Sequence, residues 1–118
     1  MKVVRLEDVK PDYEPRPIFD GRVSRQPLVT EDMAQTIRIA AVTFSPGART
    51  KLHTHTHDQI LFVVAGKGIL ATEQETHVVT PGTTIFVPQG ERHWHGATED
   101  MFFTHLSIAT SGQTDIVE

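Results

Sequence analysis

Two stretches decide how this chain reads: GARTKLHTHTHDQILFVVAG at residues 47–66 and GTTIFVPQGERHWHGA at residues 82–97. In the first, His53, His55, His57 and Gln59 share one parity, so a straight β-strand would project all four side chains to the same face. Two imidazoles two residues apart on one face can share a metal ion, with bonds of about 2 Å each. From His53 to Gln59, however, a strand runs roughly 20 Å, too far for one ion. If Gln59 joins the histidines, the chain must bend at Thr56, His57 and Asp58, and that bend turns His57 away. In the second stretch His93 and His95 are again two apart, so a regular strand points both the same way and sends Trp94 to the other face.

Working outward, Gly and Pro punctuate a series of short strands. Thr36–Phe44 is rich in β-branched residues and partly alternates. Ile60–Val64 reads as a buried strand, and Gly66-Lys67-Gly68 as a tight hairpin. Ile69–Glu73 and His77–Thr80 follow, then Pro81-Gly82, Thr84–Val87, Pro88-Gln89-Gly90, His93–Ala97 and Met101–Ala109. No run of ten or more residues carries helical periodicity and caps. Short, evenly spaced strands with this punctuation indicate an all-β sandwich or barrel. Residues 1–26 differ: Pro11, Pro15 and Pro17 interrupt a mixed-charge segment, which predicts an extended arm with a short edge strand at Val3–Leu6.

Length and composition bound the function. The chain has 118 residues, 11 Lys+Arg against 15 Asp+Glu, seven histidines and no cysteine. That is one domain with enough material for one core. A formal charge of −4 argues against nucleic acid and against an anionic membrane surface as partners. The longest apolar run, Ile60–Ala65, is far short of a membrane span, and residues 1–20 lack the apolar stretch of a secretory signal. The expectation is a cytoplasmic protein. Without cysteine, disulfides, thiolate nucleophiles and Cys-ligated metals are excluded, so any metal must be held by nitrogen and oxygen.

The pattern Gly47-x5-His53-x-His55-x3-Gln59-x6-Gly66 resembles the first cupin motif, and Gly82-x5-Pro88-x-Gly90-x2-His93-x3-Ala97 the second. Fifteen residues between Gly66 and Gly82 suit the short inter-motif loop of compact cupins. The resemblance implies a double-stranded β-helix (jelly-roll) barrel over residues 27–112, with the extended arm at 1–26 and a tail at 113–118. It also implies one divalent metal on His53, His55, Gln59 and His93. Two positions depart from the motifs: Gln59 replaces the usual glutamate, and Ala97 the usual asparagine. PGART (46–50), RHWHGA (92–97) and Thr104-His105-Leu106 are similar to the small bacterial cupins that include manganese-dependent hydroxynitrile lyases, a group that keeps the glutamine ligand.

Glutamine changes the chemistry of such a site. A carboxylate would cancel half the charge of a divalent ion, whereas a carboxamide cancels none. The ion stays a stronger Lewis acid and favours an anionic ligand or substrate. Manganese is favoured by the resemblance; Fe, Zn, Ni or Co suit the same donors. With no carboxylate at the site, proton transfer falls to another group. His95 and His105 are the candidates, since neutral imidazole is a ready acid or base near pH 7. His105 sits on the last strong strand, sharing a face with Met101, Phe103 and Ser107. Ala40 and Val42 share a face and are small enough to leave room for a substrate, while His77, in a polar turn, reads as solvated. The leading expectation is a metal-dependent lyase acting on a small molecule. The alternatives are a quercetinase-like dioxygenase and a non-catalytic ligand- or metal-binding cupin. Barrel edges and the arm suggest a homodimer.

Overall fold

The computed structural model describes residues 1–118. Twelve strands follow a 3-10 turn at Leu6–Asp8: β1 (Phe19–Asp20), β2 (Val23–Val29), β3 (Ile37–Phe44), β4 (Arg49–Thr50), β5 (His53–His55), β6 (Gln59–Gly66), β7 (Gly68–Ala71), β8 (Thr76–Val79), β9 (Thr84–Val87), β10 (Trp94–Ala97), β11 (Phe103–Thr110) and β12 (Thr114–Ile116). They form a jelly roll of two five-stranded sheets, ordered β1-β4-β10-β7-β8 and β2-β3-β11-β6-β9, with β5 and β12 as a separate pair. All named pairings are antiparallel. The barrel is flattened rather than closed by hydrogen bonds. No helix is long and apolar enough to cross a membrane.

Alternation along the long strands builds the interior. On β6, Gln59, Leu61 and Val63 are buried while Ile60, Phe62 and Val64 are exposed, as period-two side-chain geometry requires. Val23, Val42, Phe44, Leu61, Val63 and Phe103 from one sheet meet Ala48, Leu70, Val79 and Ala97 from the other side in a single core. Phe44 stacks on Phe103 at 5.9 Å between ring centroids, and Phe19 meets Phe44 edge-on at 6.2 Å.

Four sequence expectations are corrected. Gly66-Lys67-Gly68 makes no hairpin: β6 pairs with β11 and β9, β7 pairs with β8 and β10, and the chain changes sheet between them. The glycines are there for close packing. A Cβ on Gly66 (φ +77°) would lie 1.9 Å from the Phe102 carbonyl oxygen, and one on Gly68 would lie 2.5 Å from the Phe103 ring. At the start of the chain, Val3–Leu6 is not a strand. The Asp8 and Val9 amides donate to the Arg5 and Leu6 carbonyls, closing the 3-10 turn. The Gln26 side-chain amide then donates to the Leu6 and Val9 carbonyls, so this segment packs on its own sheet.

The other two concern the segment boundaries and the face of Met101. β2 runs across the expected division at residue 26 and buries Val23 and Ser24, because pairing with β3 begins at Val23. Likewise residues 114–116 of the expected tail pair with β5. Met101 lies in the turn before β11 and is exposed. It therefore does not share the face of His105.

Candidate metal centre

The expected bend exists. β5 ends at His55, residues 56 and 57 form a bend, and β6 restarts at Gln59 in a different sheet. His53 is set by a two-way backbone bridge to His93, with N···O distances of 3.0 and 3.1 Å. These two devices bring His53, His55 and His93 together, with candidate ligand atoms all within 4.8 Å of one another. His57 lies outside this cluster: its ring stacks on His55 at 4.9 Å and its Nδ1 faces the Asp58 carbonyl. His77 is exposed beside Glu75.

Each imidazole of the cluster has one nitrogen already engaged. His53 Nδ1 lies 2.7 Å from the Lys51 carbonyl and His93 Nδ1 lies 2.9 Å from the Glu91 carbonyl. A carbonyl only accepts, so both rings carry their proton on Nδ1 and turn a lone pair outward on Nε2. His55 Nδ1 meets the Thr114 hydroxyl at 2.8 Å. The Gln59 amide nitrogen donates to Ser107 Oγ at 2.9 Å, which aims its oxygen the other way. His55 Nε2, His93 Nε2 and Gln59 Oε1 are all buried without a hydrogen-bond partner. Three buried polar atoms without partners are costly to leave unmet, and with the His55 proton on Nδ1, toward the Thr114 hydroxyl, a divalent cation meets all of them. The donor set of this chain therefore fits such an ion.

Protonation is suppressed throughout. Burial, then the neighbouring His93, lowers the pKa of His53 to about 3. Burial, His93 and His57 lower that of His55 to about 4, against an opposing effect of the Gln59 side chain. Burial also lowers His93, opposed by its contact with Glu91. Neutral imidazole is the metal-binding form.

The cluster opens on a cavity of about 510 Å³ lined by His53, His55, Gln59, His95, His105 and Ser107, with Ala40 and Val42 among its apolar walls. This volume is in the range of small-molecule sites. His95 and His105 form a hydrogen-bonded pair, Nδ1 to Nε2 at 3.0 Å. Both rings are buried against Phe44 at 5.7 Å. Burial holds His105 at about 4 and, with the surrounding imidazoles, His95 well below its ordinary value. Trp94 faces outward and carries the Arg49 guanidinium 3.7 Å above its ring. Leu61 and Phe103 belong to the core, while Phe86 is exposed. Its partner across the sheet, Ile60, points outward too.

Sequence reasoning missed Thr114, Arg25, and the hold of Ser107 on Gln59. The first lay in the expected tail and the second in the expected arm.

A cupin domain family model matches residues 40–108. The chain belongs to the cupin family. It is 38% identical over 112 residues to the (R)-mandelonitrile lyase of Granulicella tundricola, covering 92% of this chain and 83% of that one. It is also 38% identical to an acireductone dioxygenase of Granulibacter bethesdensis, over 55% of this chain and 40% of the relative. Among solved cupin structures, a cupin-like protein of Thermotoga maritima superposes with a TM-score of 0.83 at 32% identity, over 89% of this chain and 83% of the other. A polyketide cyclase of Streptomyces resistomycificus superposes with a TM-score of 0.90 at 25% identity, over 100% and 86%.

Proposed function

We propose that this cupin is a divalent-metal-dependent enzyme of lyase type acting on a small molecule, in the manner of its (R)-mandelonitrile lyase relative. The observation that carries the proposal is the His53/His55/His93 cluster with its buried unpartnered Nε2 atoms, set beside a cavity that His53, His55 and Gln59 line. His53, His55, Gln59 and His93 would hold the ion. Manganese is the favoured metal. When bound, the ion supplies Lewis-acid stabilisation of a developing anion, undiminished by any carboxylate ligand.

The chain's own residues do the rest. His95 turns Nδ1 to His105 and leaves Nε2 for the cavity contents. The single proton between the two rings can sit on either nitrogen. In one tautomer His95 offers the cavity a lone pair, in the other an N–H. In cyanohydrin cleavage the hydroxyl proton leaves as the C–CN bond breaks. The carbon–oxygen bond becomes a carbonyl, and cyanide departs with the electron pair. His95 Nε2 takes that proton and returns it to cyanide, with His105 holding the ring in place. Ala40 and Val42 leave the space the substrate occupies.

Elemental analysis followed by mandelonitrile turnover tests the reading. One Mn or Zn ion per chain and cleavage abolished in His53→Ala supports it. Bound Fe(II) with substrate-dependent oxygen uptake would replace it by the dioxygenase reading, which the acireductone dioxygenase relative favours. Metal bound without turnover would leave a binding module.

The proposal extends to a homodimer. Ile60, Phe62, Val64 and Phe86 are exposed on the outer face of one sheet, and a second copy of the chain would cover them. Light scattering that gives a monomer removes this part.

A further inference from the structure

The cavity has an electrostatic sign that the metal ligands alone do not give it. Its lining contains four imidazoles (His53, His55, His95 and His105), two guanidiniums (Arg16 and Arg25) and no carboxylate, in a chain whose formal charge is −4. Arg25 is the informative member. On the sheet it lies directly opposite Val42, and Val42 lies opposite His105. Residues opposite one another across antiparallel strands share a face, so Arg25, Val42 and His105 form one row on the inner side. Two strand spacings, roughly 10 Å, separate the ends of that row.

Arg25 is half-buried and takes part in none of the chain's ion pairs. Asp12, which forms backbone hydrogen bonds to Arg25, gives its carboxylate to Arg16 at 3.6 Å, and Glu14 adds a second contact to Arg16 at 3.9 Å. Burial and the Arg16 charge both push the Arg25 pKa down, and Asp12 offsets this only in part. A guanidinium held inside without a counter-charge is unfavourable unless a ligand supplies one. Arg16 takes both of these acidic side chains, and Arg25 is left without an ion pair of its own. A planar fork of N–H donors with one positive charge and no ion-pair partner suits a carboxylate, bidentate and singly charged, better than a phosphate dianion.

We propose that Arg25 is the anchor for a carboxylate group on the substrate, whose other end, a hydroxyl or carbonyl oxygen, meets the His53/His55/Gln59/His93 cluster. The substrate class is then a small hydroxy- or oxo-carboxylic acid whose two polar ends are separated by an apolar spacer lying along Ala40 and Val42. This rests on the proposal that the cavity is the catalytic site. It also narrows that proposal, since mandelonitrile carries no ionised group for Arg25 to meet.

Calorimetric titration of the manganese-loaded protein with 4-(hydroxymethyl)benzoate and its neutral analogue 4-(hydroxymethyl)benzamide tests the anchor. The benzoate is expected to bind about tenfold more tightly, the usual scale for a hydrogen bond to a charged group. Arg25→Gln should erase that preference and leave benzamide binding unchanged. Arg25→Lys, which keeps the charge but not the fork, should restore part of it and guards against a folding defect in the first variant. A preference that survives in both variants overturns the proposal and leaves Arg25 as an inward charge protecting an edge strand. Inorganic phosphate displacing the benzoate with higher affinity overturns the carboxylate assignment. Metal content and mandelonitrile turnover are read separately. An Arg25-dependent preference without turnover keeps the anchor and removes the lyase reading, while turnover with no such preference does the reverse.

Discussion

Three strands carry both a packed end and an open end, four positions apart on each. Along β3 the inner face runs Phe44, Val42, Ala40; along β11 it runs Phe103, His105, Ser107; along β6, Val63, Leu61, Gln59. At one end Phe44 and Phe103 are fully buried and stacked. At the other Ala40, Ser107 and Gln59 line the cavity. Pairing of β3 with β11 is continuous between them, while β11 against β6 shifts register between Thr104 and His105, so side-chain volume on these strands largely decides where the molecule is solid and where it is hollow. Stability is concentrated at the aromatic end, and the small or polar residues at the cavity end leave orphaned acceptors in return for a site.

That division gives the largest prediction. Phe103→Ala should destabilise the fold by about 3–5 kcal/mol, read from urea midpoints, while protein that remains folded still binds metal in full. Metal lost in proportion to stability would mean that the two ends are one cooperative unit. The next effect concerns pH. His53 and His105 have folded pKa values of about 3 and about 4, below the ordinary 6.5 of the unfolded chain. Between these values the unfolded state binds more protons, so metal-free protein should lose stability as pH falls below about 6.5. A urea midpoint unchanged from pH 7.5 to pH 5 would contradict the buried, neutral state of these rings.

Ser107→Ala probes the cavity end alone. It frees the Gln59 amide to rotate and should weaken metal binding about 10–100-fold, the scale for outer partners of metal ligands, with little change in stability. An unchanged affinity in a competitive chelator titration would remove Ser107 from that role. Gln59→Glu should have the smallest effect on folding and on metal retention, yet weaken azide binding to the loaded protein several-fold, because a carboxylate cancels part of the ion's charge. If azide titrations match the parent, the neutral donor set is not what favours anions.

The pairing of His53 with His55 was legible because local spacing controls it, whereas the place of His93 beside them followed from the cupin resemblance. Parity placed His53 and His55 together, and distance demanded a bend before Gln59. Alternation on β6 was equally plain. The partners that hold these side chains were not legible. Ser107 is 48 residues from Gln59 and Thr114 is 59 from His55, and only sheet order and register bring them together. Gly66-Lys67-Gly68 misled for a related reason. Its composition is that of a hairpin, but what selected glycine is the Phe102 carbonyl and the Phe103 ring, which no local pattern reveals.

The contact between Thr114 and His55 has a consequence for how the protein is made. At roughly 5–20 residues per second of synthesis, about 3–12 seconds separate the appearance of His55 from that of the hydroxyl that orients it. During that interval the nascent chain displays His53-Thr54-His55 as a loose two-imidazole chelator, first without His93 and then without β12. An ion captured so early would meet an unshaped site with little power to discriminate. The arrangement that orients His55 exists only after Thr114 has emerged, so any choice between metals at the proposed site would come after that point and depend on whichever ion the compartment then supplies.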